Sequence, residues 1–289
     1  MAGVLIIILA MVFLANLIQV PEAPEDASIQ QTLPVIIDRP TSPPATEAWT
    51  ALPIPSDTAT ALPTITPAVW SALPPIAENG YGLLTNGNRS DYKVALTFDL
   101  CQSEGDLAGY DSGIIQVLNE TQTPATLFLG GLWMRDHQTE TLELADNSLF
   151  ELGNHSWSHE DFSAITSDEM QQEILRTQQF MYDLLGYQTN LFRLPYGTYT
   201  DESLNVINGQ GLYIIQWDDV SGDPDPNFDA ATILAEVQRT ARKGSIIIMH
   251  GNGRGWHTAE ALPGIIQSLR DQGYTLVTIS ELLSIPAYR

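Results

Sequence analysis

The hydrophobic pattern changes twice along the chain, and each of the three regions predicts a different kind of structure. Residues 4–20 are almost wholly apolar, and no charged side chain precedes Glu22. As a helix, such a run covers most of a bilayer core. Segment 1–20 is therefore expected to be a signal or anchor segment. It has no basic region ahead of it and no clear small-x-small site behind it, which favours an anchor with the remainder outside the cytoplasm. Over 21–79 periodicity disappears. Runs such as Pro40-Thr41-Ser42-Pro43-Pro44 and Leu62-Pro63-Thr64-Ile65-Thr66-Pro67 cannot build a core. They predict an extended, disordered, acidic Pro/Thr/Ser/Ala-rich linker.

From about residue 80 the pattern becomes regular, with short β-rich apolar runs alternating with amphipathic stretches of helical period. Strands are expected over 93–98, 124–129, 151–154, 191–194, 212–217, 244–249 and 275–279. Helices are expected over 112–120, 142–150, 167–185, 202–210, 230–241 and 259–273, with Ser167 capping the longest and Gly186 ending it. This alternation implies an α/β domain over 80–289, with parallel strands and helices outside. In barrel-like α/β folds the reactive side chains gather at the C-terminal strand ends.

Composition narrows the partners. The chain has 35 acidic against 12 basic residues, which argues against nucleic acid or an anionic lipid surface. A single cysteine excludes an intramolecular disulfide framework. A monomer stabilised by an ordinary core is expected.

The chemistry-bearing residues are sparse and concentrated. Of 5 histidines, His155 and His159 stand four residues apart. At i and i+4 two imidazoles share a face of a helical turn and can converge on one metal ion. Asp99, Arg193 and His250 arrive from other segments, each at or just past a strand end. A carboxylate, an arginine and a third histidine around a histidine pair point to metal-assisted hydrolysis.

Taken in order, Thr97-Phe98-Asp99, His155-Ser156-Trp157-Ser158-His159, Arg193-Leu194-Pro195-Tyr196-Gly197, Trp217 followed by Asp223, and Met249-His250-Gly251 resemble the motifs of the polysaccharide deacetylase family (nodulation-factor deacetylase-like, carbohydrate esterase family 4). The resemblance covers about residues 90–285. It implies a distorted, incomplete (β/α) barrel and metal-dependent removal of acetyl groups from N-acetylated or O-acetylated sugars, such as cell-wall N-acetylglucosamine polymers. His155 and His159 would hold a divalent metal, zinc by default. Asp99 would be the base that takes a proton from the attacking water, with Arg193 pairing and orienting it. The backbone N–H of Tyr196, in a loop fixed by Pro195 and Gly197, would face the oxyanion. His250 would protonate the leaving amine, supported by Asp223. Trp217 fits either the acetyl pocket or the core; Trp256 and His257 are candidates for a sugar groove.

One departure from the family pattern matters. A second aspartate commonly follows the first and is the third metal ligand; here that position is Leu100. Asp99 itself is the first candidate to replace it. Cys101 is another, because alternate strand residues share a face, and Glu104 or Asp106 can reach in from the next loop. Weakened metal binding is the remaining possibility. It would suit a non-catalytic carbohydrate-binding protein on the same fold; an amidase acting on a non-sugar amide is a third reading.

Overall fold

The structure, a computed structural model, describes residues 82–288. The anchor and linker expected over 1–79 lie outside the described residues. Within these, no helix is long and apolar enough to cross a membrane.

The first half of the domain runs β1 (Leu83–Leu84), β2 (Lys93–Leu100), α1 (Ser112–Glu120), β3 (Ala125–Leu129), α2 (Gly131–Asp136), α3 (Gln138–Asp146), β4 (Phe150–Asn154) and α4 (Ser167–Leu185). The second half runs β5 (Leu191–Phe192), a 3₁₀ turn (Pro195–Gly197), α5 (Asp201–Gly209), β6 (Tyr213–Ile215), β7 (Asp219–Val220), α6 (Ala230–Thr240), β8 (Ile246–His250), α7 (Thr258–Asp271), β9 (Thr275–Leu276) and α8 (Ile279–Leu283). The strands pair in the order β1-β6-β5-β4-β3-β2-β8-β7, all parallel, with β9 beside the start of β2. The two ends of this series, β1 and β7, do not pair with each other. The result is a curled α/β half-barrel rather than a closed one.

Burial explains why the central strands read as continuous apolar runs rather than alternating ones. In β2 every residue from Val94 to Leu100 is buried, as expected for a parallel strand covered on both faces. On the outer face Leu96, Phe98 and Leu100 pack with Ile114 and Leu118 of α1, Ile233 and Val237 of α6, and Leu262, Ile265 and Leu269 of α7. On the inner face Ala95 of β2 and Ile246 of β8 meet Ile279 and Leu282 of α8. These come from the first halves of the two strands. That end of the curl is filled mainly by apolar side chains, with buried Thr126 and Glu151 accepting from the backbone at the start of α8, and the chemistry-bearing residues collect at the other end.

Apart from α2, which no expected element covers, the elements agree with the hydrophobic pattern except where a cap or a short strand intervenes. The helix expected over 142–150 is α3, over 138–146, because Phe150 is drawn into β4 opposite Ala125. Thr166, not Ser167, caps α4; its side chain and that of Glu169 exchange hydrogen bonds with each other's backbone in a capping box. The last expected strand stops at Leu276, because the Thr278 side chain caps α8. The segment containing His155 and His159 is irregular rather than a helical turn. Two-residue strands such as β1 and β7 are too short to leave an alternating signature.

Candidate active site

Four strand ends build one rim. β2 ends by delivering Asp99 and leads directly to Cys101. β4 leads into the loop of His155 and His159. β5 leads to Arg193 and the Pro195–Gly197 turn, and β8 ends on His250. Parallel register sets Asp99 level with His250 on the neighbouring strand. An open cleft of about 330 Å³ lies above, lined by Asp99, Cys101, His159, Tyr196, Trp217, His250 and Arg254 among others. Leu100, between the two cleft-facing residues, points into the core under the helices.

The histidine loop is held in a costly conformation. Ser156 and His159 have φ of 66° and 61°, a left-handed region that costs a residue with a Cβ about 1–2 kcal/mol. Glu173 of α4 offsets this. One of its oxygens accepts the N–H groups of Trp157 and Ser158 at 2.9 and 2.7 Å, and the other accepts the Ser158 hydroxyl at 2.7 Å. Asn154 Oδ1 accepts from Ser156 N–H at 2.9 Å, and Ser156 Oγ from His159 N–H at 3.1 Å. The Trp157 indole lies so close over α2 that a Cβ on Gly131 would sit 2.1 Å from its ring. The loop thus turns twice and brings the two imidazoles to a ring-centroid distance of 4.9 Å.

The protonation of His155 follows from its partners. Its Nδ1 lies 3.0 Å from the Arg193 carbonyl oxygen, which can only accept, so Nδ1 carries the proton. Burial pulls the pKa of this imidazole down despite the nearby Asp99. A neutral ring then presents the bare lone pair of Nε2 towards the Asp99 carboxylate, 3.4 Å away. Two acceptors face each other at the floor of the cleft. His159, also pulled down by burial and by His155, has its pKa lowered to about 3 and is neutral at physiological pH.

Asp99 and Arg193 form the inner wall. Arg193 is fully buried. Its Nη1 donates to Asp99 Oδ1 at 2.8 Å and to Thr97 Oγ1 at 2.9 Å, Nε donates to the Ile215 carbonyl at 3.2 Å, and the guanidinium lies 4.0 Å over the Phe128 ring. The Thr97 hydroxyl in turn donates to the Ile247 carbonyl at 2.7 Å. Burial opposes the Asp99 charge, but Arg193 foremost, then the neighbouring histidines, outweigh it and hold the carboxyl below the usual range.

The opposite wall is built around Asp223. This buried carboxylate accepts the backbone N–H of His250 at 2.7 Å and the Thr258 hydroxyl at 2.7 Å on one oxygen; on the other it faces His250 Nδ1 at 3.0 Å and the Ser221 hydroxyl at 3.1 Å. Burial would deprotonate His250, yet the hydrogen bond and charge of Asp223, with Asp99 behind them, win and raise its pKa. The ring reaches the cleft with its side chain 21% exposed.

The donor set fits a divalent metal ion. One ligand atom each from Cys101, His155 and His159 all lie within 4.8 Å of one another; among the described residues no other group of three metal-ligating side chains does. Asp99, the first candidate for third ligand, is outside that group and engaged with Arg193. Asp106 is exposed and paired with Arg254, and Glu104 is exposed. Tyr196, with φ of 57°, stands over His159 at a ring distance of 4.5 Å. Pro195 is buried beneath the turn, and Gly197 packs so tightly on Trp217 that a Cβ there would meet the indole at 2.7 Å. Trp217 is only partly buried and faces the cleft as well as the inner core. Trp256 is exposed, His257 is partly buried, and neither lines it. Glu173, Ser221, Asn252 and Thr258 hold the site together but carried no sequence signal, since isolated Glu, Ser, Thr and Asn are common everywhere.

Residues 86–215 match the family model for polysaccharide deacetylase. A peptidoglycan-N-acetylglucosamine deacetylase of Listeria monocytogenes is 30% identical over 195 residues, covering 67% of this chain and 39% of that protein. The chain therefore spans about two fifths of the length of that relative. A solved peptidoglycan N-acetylglucosamine deacetylase superposes with a TM-score of 0.68 at 26% identity, over 73% of this chain and 97% of that one. A pseudoenzyme of carbohydrate esterase family 4 from Bacillus anthracis superposes with a TM-score of 0.62 at 26% identity, over 69% of this chain and 68% of that one. The ordered motifs, the curled parallel half-barrel and these similarities agree: residues 86–215 carry a polysaccharide deacetylase domain.

Proposed function

We propose that this protein is a metal-dependent hydrolase that removes acetyl groups from an N-acetylated, or O-acetylated, sugar polymer of the peptidoglycan type, outside the cytoplasm. The observation that carries this reading is the pairing of two oppositely tuned groups across one cleft. Asp99 is held towards its ionised form by Arg193, and His250 towards its protonated form by Asp223. A protein that only binds sugar has no use for a base and an acid held level on adjacent strands.

A divalent ion held by His155 and His159, zinc by default, would supply Lewis acidity to polarise the acetyl carbonyl and acidify the attacking water. The chain's own groups do the rest. Asp99 Oδ2, the oxygen not bonded to Arg193, takes the proton of the attacking water. The Tyr196 turn points its backbone at the developing oxyanion. Trp217 forms an apolar wall for the acetyl methyl, a role compatible with its partial burial. His250 Nε2 gives its proton to the leaving amine, while Nδ1 stays bonded to Asp223.

The polymer type follows from the names of the similar deacetylases. An acidic chain with its site in an open cleft suits a neutral glycan better than an anionic one. The expected membrane segment and linker would let such an enzyme reach a polymer outside the cell as a monomer.

A binding-only role is the second reading, favoured by Leu100 at the family's usual ligand position and by the similarity to a pseudoenzyme. Acetate release from N-acetylglucosamine oligomers by the purified full-length protein separates the two. Release abolished by a chelator and restored by zinc supports the hydrolase. Saturable oligomer binding with no release under any divalent metal would establish the binding protein, and release from a simple amide alone would mark a non-sugar amidase.

A further inference from the structure

We propose that Cys101 is the third protein ligand of the metal, so that the centre is Cys–His–His with a thiolate where the family commonly uses a carboxylate. This deepens the metal-dependent reading above and rests on it.

Three observations converge on the thiol. It lies within 4.8 Å of a nitrogen of His155 and of His159. Side-chain movements of about 1 Å bring such a trio to one ion at bonds of about 2.0–2.1 Å to nitrogen and 2.3 Å to sulfur. The residue between Asp99 and Cys101 is turned into the core, so both of its neighbours face the cleft without any change in strand direction. Finally, Asn252 Nδ2 donates to Cys101 Sγ at 3.4 Å and to the Cys101 carbonyl at 2.8 Å. An N–H aimed at sulfur is the kind of outer contact that orients a ligand.

His155 supplies the independent sign that a cation belongs here. It is almost completely buried, its Nδ1 is 3.0 Å from the Arg193 carbonyl, and its Nε2 is the nitrogen left to face Asp99, Cys101 and His159. A positive ion bound to that nitrogen would sit beside the Asp99 carboxylate, which stays bonded to Arg193.

The assignment removes the conflict left by the missing aspartate. Asp99 no longer has to serve as both ligand and base, and its bond to Arg193 is kept. Cys101 replaces one negative ligand by another, so the charge of the centre is unchanged. Three protein ligands leave a fourth position for substrate or water, the pattern of catalytic zinc sites. A soft sulfur donor also biases the centre towards zinc or cobalt and away from magnesium or manganese. The thiol proton is released to solvent as the metal binds.

Cobalt(II) titration of the metal-stripped full-length protein, followed by optical absorption, tests this without relying on activity. The chain has a single cysteine, so any sulfur-to-cobalt charge-transfer band in the near ultraviolet has one source. The expected result is one cobalt per chain with that band, and its loss in Cys101→Ser with the circular dichroism unchanged. Zinc-edge X-ray absorption of the unmutated, zinc-loaded protein checks the same point should the variant misfold; it is expected to show one sulfur at about 2.3 Å. Stoichiometric metal without the band, or with only nitrogen and oxygen neighbours, would overturn the cysteine ligand and leave the metalloenzyme standing. Failure to bind any divalent metal would overturn both.

Discussion

The two walls of the cleft use the same pair of ingredients, a carboxylate and a cationic partner, to opposite effect. On the inner wall the cation is Arg193, fully buried and bonded through three nitrogens, and the carboxylate is the group that reaches the cleft. On the outer wall the carboxylate of Asp223 is buried and fixed by four contacts, and the imidazole of His250 reaches the cleft. Which member is anchored decides what is displayed: an ionised base on one side, a protonated acid on the other. Burial opposes the charge of each displayed group, and each pKa still moves towards its charged form because the buried partner outweighs burial. Opposed environments for two neighbouring titratable groups are a known route to acid and base roles at one pH.

Removing the displayed groups is the severest way to break this comparison. Asp99→Asn is expected to lower kcat for acetate release about 10²–10⁴-fold, the usual worth of positioned proton transfer. It also strands the Arg193 charge in the core, so a chemical denaturation curve is expected to show a loss of about 3–5 kcal/mol. His250→Gln is expected to cost a similar 10²–10⁴-fold in kcat, but with a smaller loss of stability, because glutamine can still donate to Asp223 and that carboxylate keeps its three other contacts. Equal destabilisation by both variants would show that the walls do not differ in the way described.

Smaller effects are expected from the residues that hold the outer wall. Thr258→Val removes one hydrogen bond to Asp223 and leaves three contacts in place, so about 0.5–1.5 kcal/mol of stability is expected to go, read from the thermal midpoint. Activity at low pH should stay close to that of the unmutated protein. A large kcat loss would mean that Asp223 has less support than its four contacts indicate.

Much of this architecture was legible in the chain. The alternation of apolar runs and helical stretches gives nearly every major element, because fully buried parallel strands and one-sided helices leave strong and different periods. The ordered motifs also bring Asp99, Arg193, Asp223 and His250 to a common rim. The missing pieces were of two kinds. The histidine pair converges through two left-handed residues braced by Glu173, not through a helical turn, and no local pattern announces a brace from another helix. The place of Cys101 beside the imidazoles depends on how the loop after β4 folds back over the end of β2, which spacing along the chain does not encode.

The pH dependence of acetate release, compared between the unmutated protein and Asp223→Asn, tests the tuned-pair account most directly. His250 must be protonated to act as the acid, so activity falls as pH rises through its pKa. In the unmutated protein that basic limb is expected above the ordinary histidine value of about 6.5, because the folded state raises it. Taking away the Asp223 charge removes the main raising influence, so the basic limb is expected to move to lower pH while the acidic limb, set by Asp99 and Arg193, stays in place. A basic limb that does not move, or an acidic limb that moves instead, would contradict the assignment of acid and base to the two walls.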